Sequence, residues 1–284
     1  MAFGARNKSS INTYNAKYSK LLGQIYLESD VARNVLGAVP DEVKRAGFDE
    51  KNARELRKQI QDGGGLFDSS IEGKLTYFNI SKGEDSKGIS REYIKVGFRT
   101  EVPNDKGELK PATVFLSVPL KSQEGLSLIH KLANAQFGEE TKLSMFAQMK
   151  EGKDGRMYGN HTVGLKQDGE TVAPVLPFTN EERKKMREEL KAQGEDNEDI
   201  AKALLKEEYK RTLPQIEVIS QRYADYRENS RAAGEDHSAE DTAHAADTQS
   251  HGAEDDQLPN EAAAQARADA KADKGDDMTF DDDL

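Results

Sequence analysis

The chain has 284 residues, 35% of them hydrophobic and 33% charged, with a formal charge of −11 and a mean hydropathy of −0.83. So low an apolar content leaves part of the sequence outside any core. With no cysteine, disulfides, thiolate catalysis and zinc–cysteine sites are excluded, and no apolar run reaches membrane-spanning length.

The acidity is unevenly placed. Residues 1–178 hold 26 Lys and Arg against 23 Asp and Glu, residues 179–228 hold 11 against 13, and residues 229–284 hold 4 against 16. A mildly basic body therefore carries an acidic arm, an asymmetry suited to nucleic acid at one end and protein partners at the other.

Residues 1–70 read as an N-terminal extension with a helix. The opening stretch is small, polar and basic and lacks the apolar stretch of a signal peptide, so a cytoplasmic location is expected. Between 14 and 39, Tyr14, Tyr18, Leu22, Ile25 and Val35 follow no clear period, and strand and helix both fit. Pro40-Asp41-Glu42 is a helix start, and Ala53, Leu56 and Ile60 mark a helix over 49–61 that Gly63-Gly64-Gly65 stops.

Residues 71–178 are the expected binding core. A strand over 74–81 is followed by a loop carrying Lys82 and Lys87. In the next strand Ile94, Val96 and Phe98 alternate with Tyr93, Lys95 and Arg99. Pro103-Asn104-Asp105-Lys106-Gly107 turns the chain into a third strand, where Val114, Leu116 and Val118 alternate with Thr113, Phe115 and Ser117. A helix over 124–137, with Leu128, Ile129 and Leu132 on one face and His130 packed within it, closes at Gly138. Two more strands then flank a loop with Lys153 and Arg156: the first puts Lys142, Phe146 and Lys150 outward, the second Tyr158 and Lys166. His161 shares a side with Val163 and Leu165, which marks it as a rim residue or a bulge. Aromatics set among cations suit single strands, since bases stack on rings and phosphates meet the charges.

Residues 179–228 form a helical segment: Thr179 and Glu182 make a capping-box pattern, Asp196 or Asn197 caps a second helix, and Pro214 opens a third. Residues 229–284 are almost free of large apolar side chains and are expected to be disordered. His237, His244 and His251 recur every seven residues there as a degenerate repeat, with nothing to hold them as metal ligands. Phosphate-binding, serine-hydrolase, zinc-protease and calcium-loop motifs are all lacking, so a non-catalytic protein without cofactor or metal is expected.

Three strands, a helix and two strands resemble the OB-fold, a five-stranded, partly open barrel that binds single strands. The resemblance implies a mainly β protein with flanking helices. The end of the sequence, Met278-Thr279-Phe280-Asp281-Asp282-Asp283-Leu284, resembles the acidic tips of bacterial and bacteriophage single-stranded DNA-binding proteins, although Leu284 replaces the bacterial Pro-Phe ending. That likeness implies a protein of DNA replication, recombination and repair, placed in the host cytoplasm if viral. It also implies that Phe280 to Leu284 recruit a polymerase, helicase or nuclease, or RNA polymerase. A homo-oligomer is compatible with the sequence. An OB-type RNA-binding or transcription-cofactor protein, and an adaptor that binds no nucleic acid, remain alternatives.

Overall fold

Strict alternation builds the centre of the protein. In strand β5 (Ser90–Pro103) Ile94, Val96 and Phe98 are fully buried, and in β6 (Leu109–Pro119) Val114, Leu116 and Val118 lie on the same inner side. The two strands pair antiparallel, Val96 opposite Leu116. In this computed structural model the described residues are 12–84, 90–104, 106–151 and 157–252.

The remaining strands are β1 (Asn12–Ser19), β2 (Gln24–Leu27), β3 (Phe67–Asp68), β4 (Ser70–Glu84), β7 (Glu140–Glu151), β8 (Met157–Gln167) and β9 (Glu170–Thr171). One mixed sheet joins all nine in the order β3-β2-β1-β6-β5-β4-β7-β8-β9. The five strands expected from the sequence are present as the contiguous run β6-β5-β4-β7-β8, and helix α4 (Gln123–Leu132) falls between β6 and β7. The fold is therefore mainly β with flanking helices.

The expected five-stranded, partly open barrel is not what forms. The free edge of β6 is taken by β1, parallel to it from Asn12 opposite Ala112 to Lys17 opposite Ser117, while β9 adds a short pairing to the end of β8 at Lys166 and Gln167. With β6 paired to β1 and not to β8, the five strands do not close into a ring, and the sheet stays open. It curls nevertheless: the Ala147 N–H of β7 donates to the carbonyl of Gly23 in the β1–β2 turn at 3.0 Å, and the Met145 N–H to Ser69 at 2.8 Å. Gly23 has φ +60°, and a Cβ there would stand 2.6 Å from the Phe48 ring, so this turn requires glycine.

Residues 12–70 belong to the same sheet and its core. Tyr14, Ala16 and Tyr18 of β1 pack on the main core. Helices α1 (Asp30–Gly37), α2 (Asp41–Ala46) and α3 (Glu50–Asp62) follow, with Leu22, Ala32 and Ile60 forming a satellite core. Ser29 and Asp49 cap α1 and α3 through their side chains.

On the inner side α4 buries Leu126, Leu128, Ile129 and Leu132. Its His130, buried as expected, meets Thr212 Oγ1 at 3.1 Å. Helix α5 (Asn180–Ala192) starts at the expected capping box, where Glu182 is held at a pKa of about 2 by the Thr179 backbone N–H first and Arg211 second. The second and third expected helices are one helix, α6 (Asn197–Ala232), running through Pro214. A proline inside a helix costs roughly 3 kcal/mol. Here buried Leu204 and Leu205 on one side of it, and Ile219 and Tyr223 on the other, hold both halves in line.

For residues 229–252 the expected disorder is corrected, because α6 runs to Ala232 and α7 (Ser238–Gly252) follows. Composition misleads here because anchoring is polar: Arg99 binds Glu240 and Glu235, His237 Nε2 meets Ser230 Oγ at 2.7 Å, and only Ala243 adds an apolar contact. The tail beyond Gly252, with the tip residues Phe280, Asp281, Asp282, Asp283 and Leu284, lies outside the described residues.

Candidate nucleic-acid interface

Register fixes which side chains share the outer face of β7 and β8. Lys142 stands opposite Lys166, Ser144 opposite Gly164, Phe146 opposite Thr162, Gln148 opposite Asn160, and Lys150 opposite Tyr158. The result is a strip nine residues long on β7, or about 27 Å at ~3.3 Å per residue. Lys142, Gln148, Lys150 and Lys166 are exposed, and Phe146 and Tyr158 are half-buried, with part of each ring on the surface.

Electrostatics along the strip favour an anion. Like charges directly across a strand pair repel, yet Lys142 and Lys166 occupy such a pair. Glu72 of β4 pairs with Lys142. Lys150 and Lys166 have no ion-pair partner among the described residues. Between the cations lie two flat rings and the amides of Gln148 and Asn160, groups that stack on bases or hydrogen-bond their edges whatever the sequence.

The same face continues onto β4 and β5, where other predicted residues are found. Tyr93 and Lys95 are half-buried on it, with Lys95 Nζ 5.4 Å from the Phe115 ring centroid. Arg99 and Lys74 stand side by side, but carboxylates already hold them: Arg99 Nε donates to Glu240 at 2.9 Å, and Lys74 Nζ to Glu235 at 3.3 Å. The start of α7 thus puts carboxylate oxygens where phosphate oxygens would otherwise reach these cations.

Two predicted residues are not set up for contact as expected, although Phe115 keeps the side that the alternation gives it. Phe115 is 1% exposed and cannot stack on a base. Its ring meets Tyr77 edge-on at 5.1 Å, and Tyr77 in turn meets Tyr223 of α6 at 5.5 Å. The cause is Gly97, between Tyr77 and Phe115 in the sheet, where a Cβ would lie 2.6 Å from Tyr77 Cβ. Without a side chain at that position the two rings close over the backbone and α6 seals them. Lys82 belongs to β4 rather than to a loop, opposite Glu92 and on the side away from Tyr93, although it is exposed. Lys87, Lys153 and Arg156 lie outside the described residues.

His161 marks no bulge. It stays in register opposite Ala147, and its Nδ1 lies 2.7 Å from the Tyr18 hydroxyl, tying β8 to β1. The alternation did not single out Gln148, Asn160 or Lys74, because outward amides and lysines are ordinary on any sheet. Glu235 and Glu240 were hidden in an acidic run.

Among the described residues no group of His, Asp and Glu could hold a metal ion, and no helix is long and apolar enough to cross a membrane. Comparison with family models, curated proteins and solved structures finds no match to this chain.

Proposed function

We propose that the chain is a non-catalytic protein that coats single-stranded DNA, with little regard to sequence, in replication, recombination or repair of the bacteriophage or bacterial type. The run β6-β5-β4-β7-β8 is read as an OB-type unit opened by the added strands β1 and β9. The carrying observation is the β7–β8 strip, where the accessible rings of Phe146 and Tyr158 lie among Lys142, Lys150 and Lys166 on one face. Stacking contributes about 1–3 kcal/mol per base and tolerates any base, and the lysines supply a salt-sensitive phosphate term. Tyr93 and Lys95 extend the path on β5. In this reading the C-terminal tip recruits replication proteins through an aromatic anchor flanked by carboxylates.

The test is binding of a fluorescent oligo(dT) by the full chain. Phe146→Ala and Tyr158→Ala are each expected to weaken it by about 1–3 kcal/mol without lowering the unfolding temperature. Unchanged affinity in both variants removes the strip from the site. Equal binding of oligo(U) moves the reading to an RNA-binding protein, and no binding of either strand leaves an adaptor.

A further inference from the structure

Away from the strip, the three N-terminal helices leave a groove of about 230 Å³ between them. Its floor and walls are Val35 of α1, Ala38, Val39 and Pro40 of the α1–α2 connection, Val43 of α2 and Leu56 of α3. Val39 is buried, while Val35, Val43 and Leu56 remain half-exposed at the opening. Glu55, held by Gln59 at 3.2 Å, is the one carboxylate in the lining. Lys51 and Lys58 are exposed on α3 beside the lining residues Asn52, Glu55 and Gln59 and make this side of the rim cationic; on the α2 side Lys44 pairs with Asp41 at 3.7 Å and Glu42 is exposed beside Val43. A cavity of ~150 Å³ already takes a benzene ring, so this one suits an aromatic side chain together with its neighbours. It is small for a drug-sized ligand.

We propose that the groove is the docking site of the chain's own C-terminal tip, residues 278–284. Residues 253–284 contain four large apolar side chains, Leu258, Met278, Phe280 and Leu284, and three of these fall in the last seven positions. They are interleaved with Asp281, Asp282 and Asp283, which meet the lysines at the rim. The other candidate from this chain, residues 1–11, offers Met1, Phe3 and Ile11 but carries Arg6 and Lys8, the wrong sign for that rim. Reach is sufficient: about 26 residues separate Gly252 from Met278, which span up to ~90 Å extended and about 30 Å as a coil. Tethering at this length supplies a local concentration near the millimolar range, so a shallow groove with few anchors is enough. Docked there, the tip is stored away from its partners and is released by any partner that binds Phe280 more tightly.

This inference rests on the groove and the tail and is independent of nucleic-acid binding, so its test contains no DNA. Phe280 is replaced by p-benzoylphenylalanine in the full chain, the protein is irradiated, and the cross-linked peptides are mapped by mass spectrometry. Cross-links to Val35, Val39, Val43 or Leu56 are expected. They should fall about tenfold in the surface variant Lys51→Glu/Lys58→Glu, whose fold is checked by circular dichroism, and also in Val43→Asp. Cross-links confined to the β7–β8 strip or to α4, the absence of any cross-link within the protein, or cross-links indifferent to both variants overturn the proposal.

Discussion

His130 shows what a single buried titratable side chain does to this protein. Burial first, and the charge of Arg183 second, push its pKa down from 6.5 to about 4. In the folded protein it stays neutral against Thr212 while the unfolded chain takes up a proton. The linkage has one sign: the unfolded state binds more protons between pH 6.5 and 4, so stability present above pH 6.5 is lost as pH falls through that window and levels off below it. The difference in urea unfolding free energy between the wild type and His130→Gln should therefore shrink from pH 7 to pH 4.5. A difference that stays flat with pH would show that His130 is not the proton acceptor. Gly97 acts at the same level, since its missing side chain lets the Tyr77 and Phe115 rings close over it and makes Phe115 core.

Among the elements, α7 is held in an unusual way. Only Ala243 of its described side chains joins the core, and its hold on the sheet comes from Glu235 and Glu240, at and just before the helix start, gripping Lys74 and Arg99. The Glu235 pairs are partly exposed and each worth up to about 1 kcal/mol, little enough for a polyanion to displace, whereas Glu240 is buried against Arg99. The variant Glu235→Gln/Glu240→Gln should then bind oligo(dT) about fivefold more tightly at low salt, the scale of one pair released, with the gain shrinking as salt rises. Weaker or unchanged binding would mean that α7 supports the face rather than competing for it. Helix α6 makes the opposite point: Pro214 is a strong local stop signal, and packing of Ile219 and Tyr223 on Tyr77 and Phe137 overrides it.

Across the entire fold, what could be read in advance was what local period encodes. Strands β4 to β8, helix α4 and the Thr179 capping box follow from alternation, 3.6-residue spacing and end signals within a dozen residues. The parallel pairing of β1 with β6 could not be read this way, since Asn12 and Ala112 meet across a hundred positions and nothing in either stretch specifies the other. With that pairing the expected five-stranded barrel gives way to an open nine-stranded sheet. The candidate strip was legible for the same local reason: Lys142, Phe146, Lys150, Tyr158 and Lys166 all alternate outward. The loss of Phe115 and the engagement of Arg99 were not, because both are made by helices that arrive from more than a hundred residues away.

The central claim is that a ring-and-lysine strip on β7 and β8 holds unpaired strands. It is tested most directly by titrating the full chain with oligo(dT) and with a duplex of equal length at two salt concentrations. The account predicts preference for oligo(dT) and an affinity that falls as salt rises, with a slope of about −0.7 per phosphate neutralised. Equal or tighter binding of the duplex, or affinity for oligo(dT) that ignores salt, would contradict it.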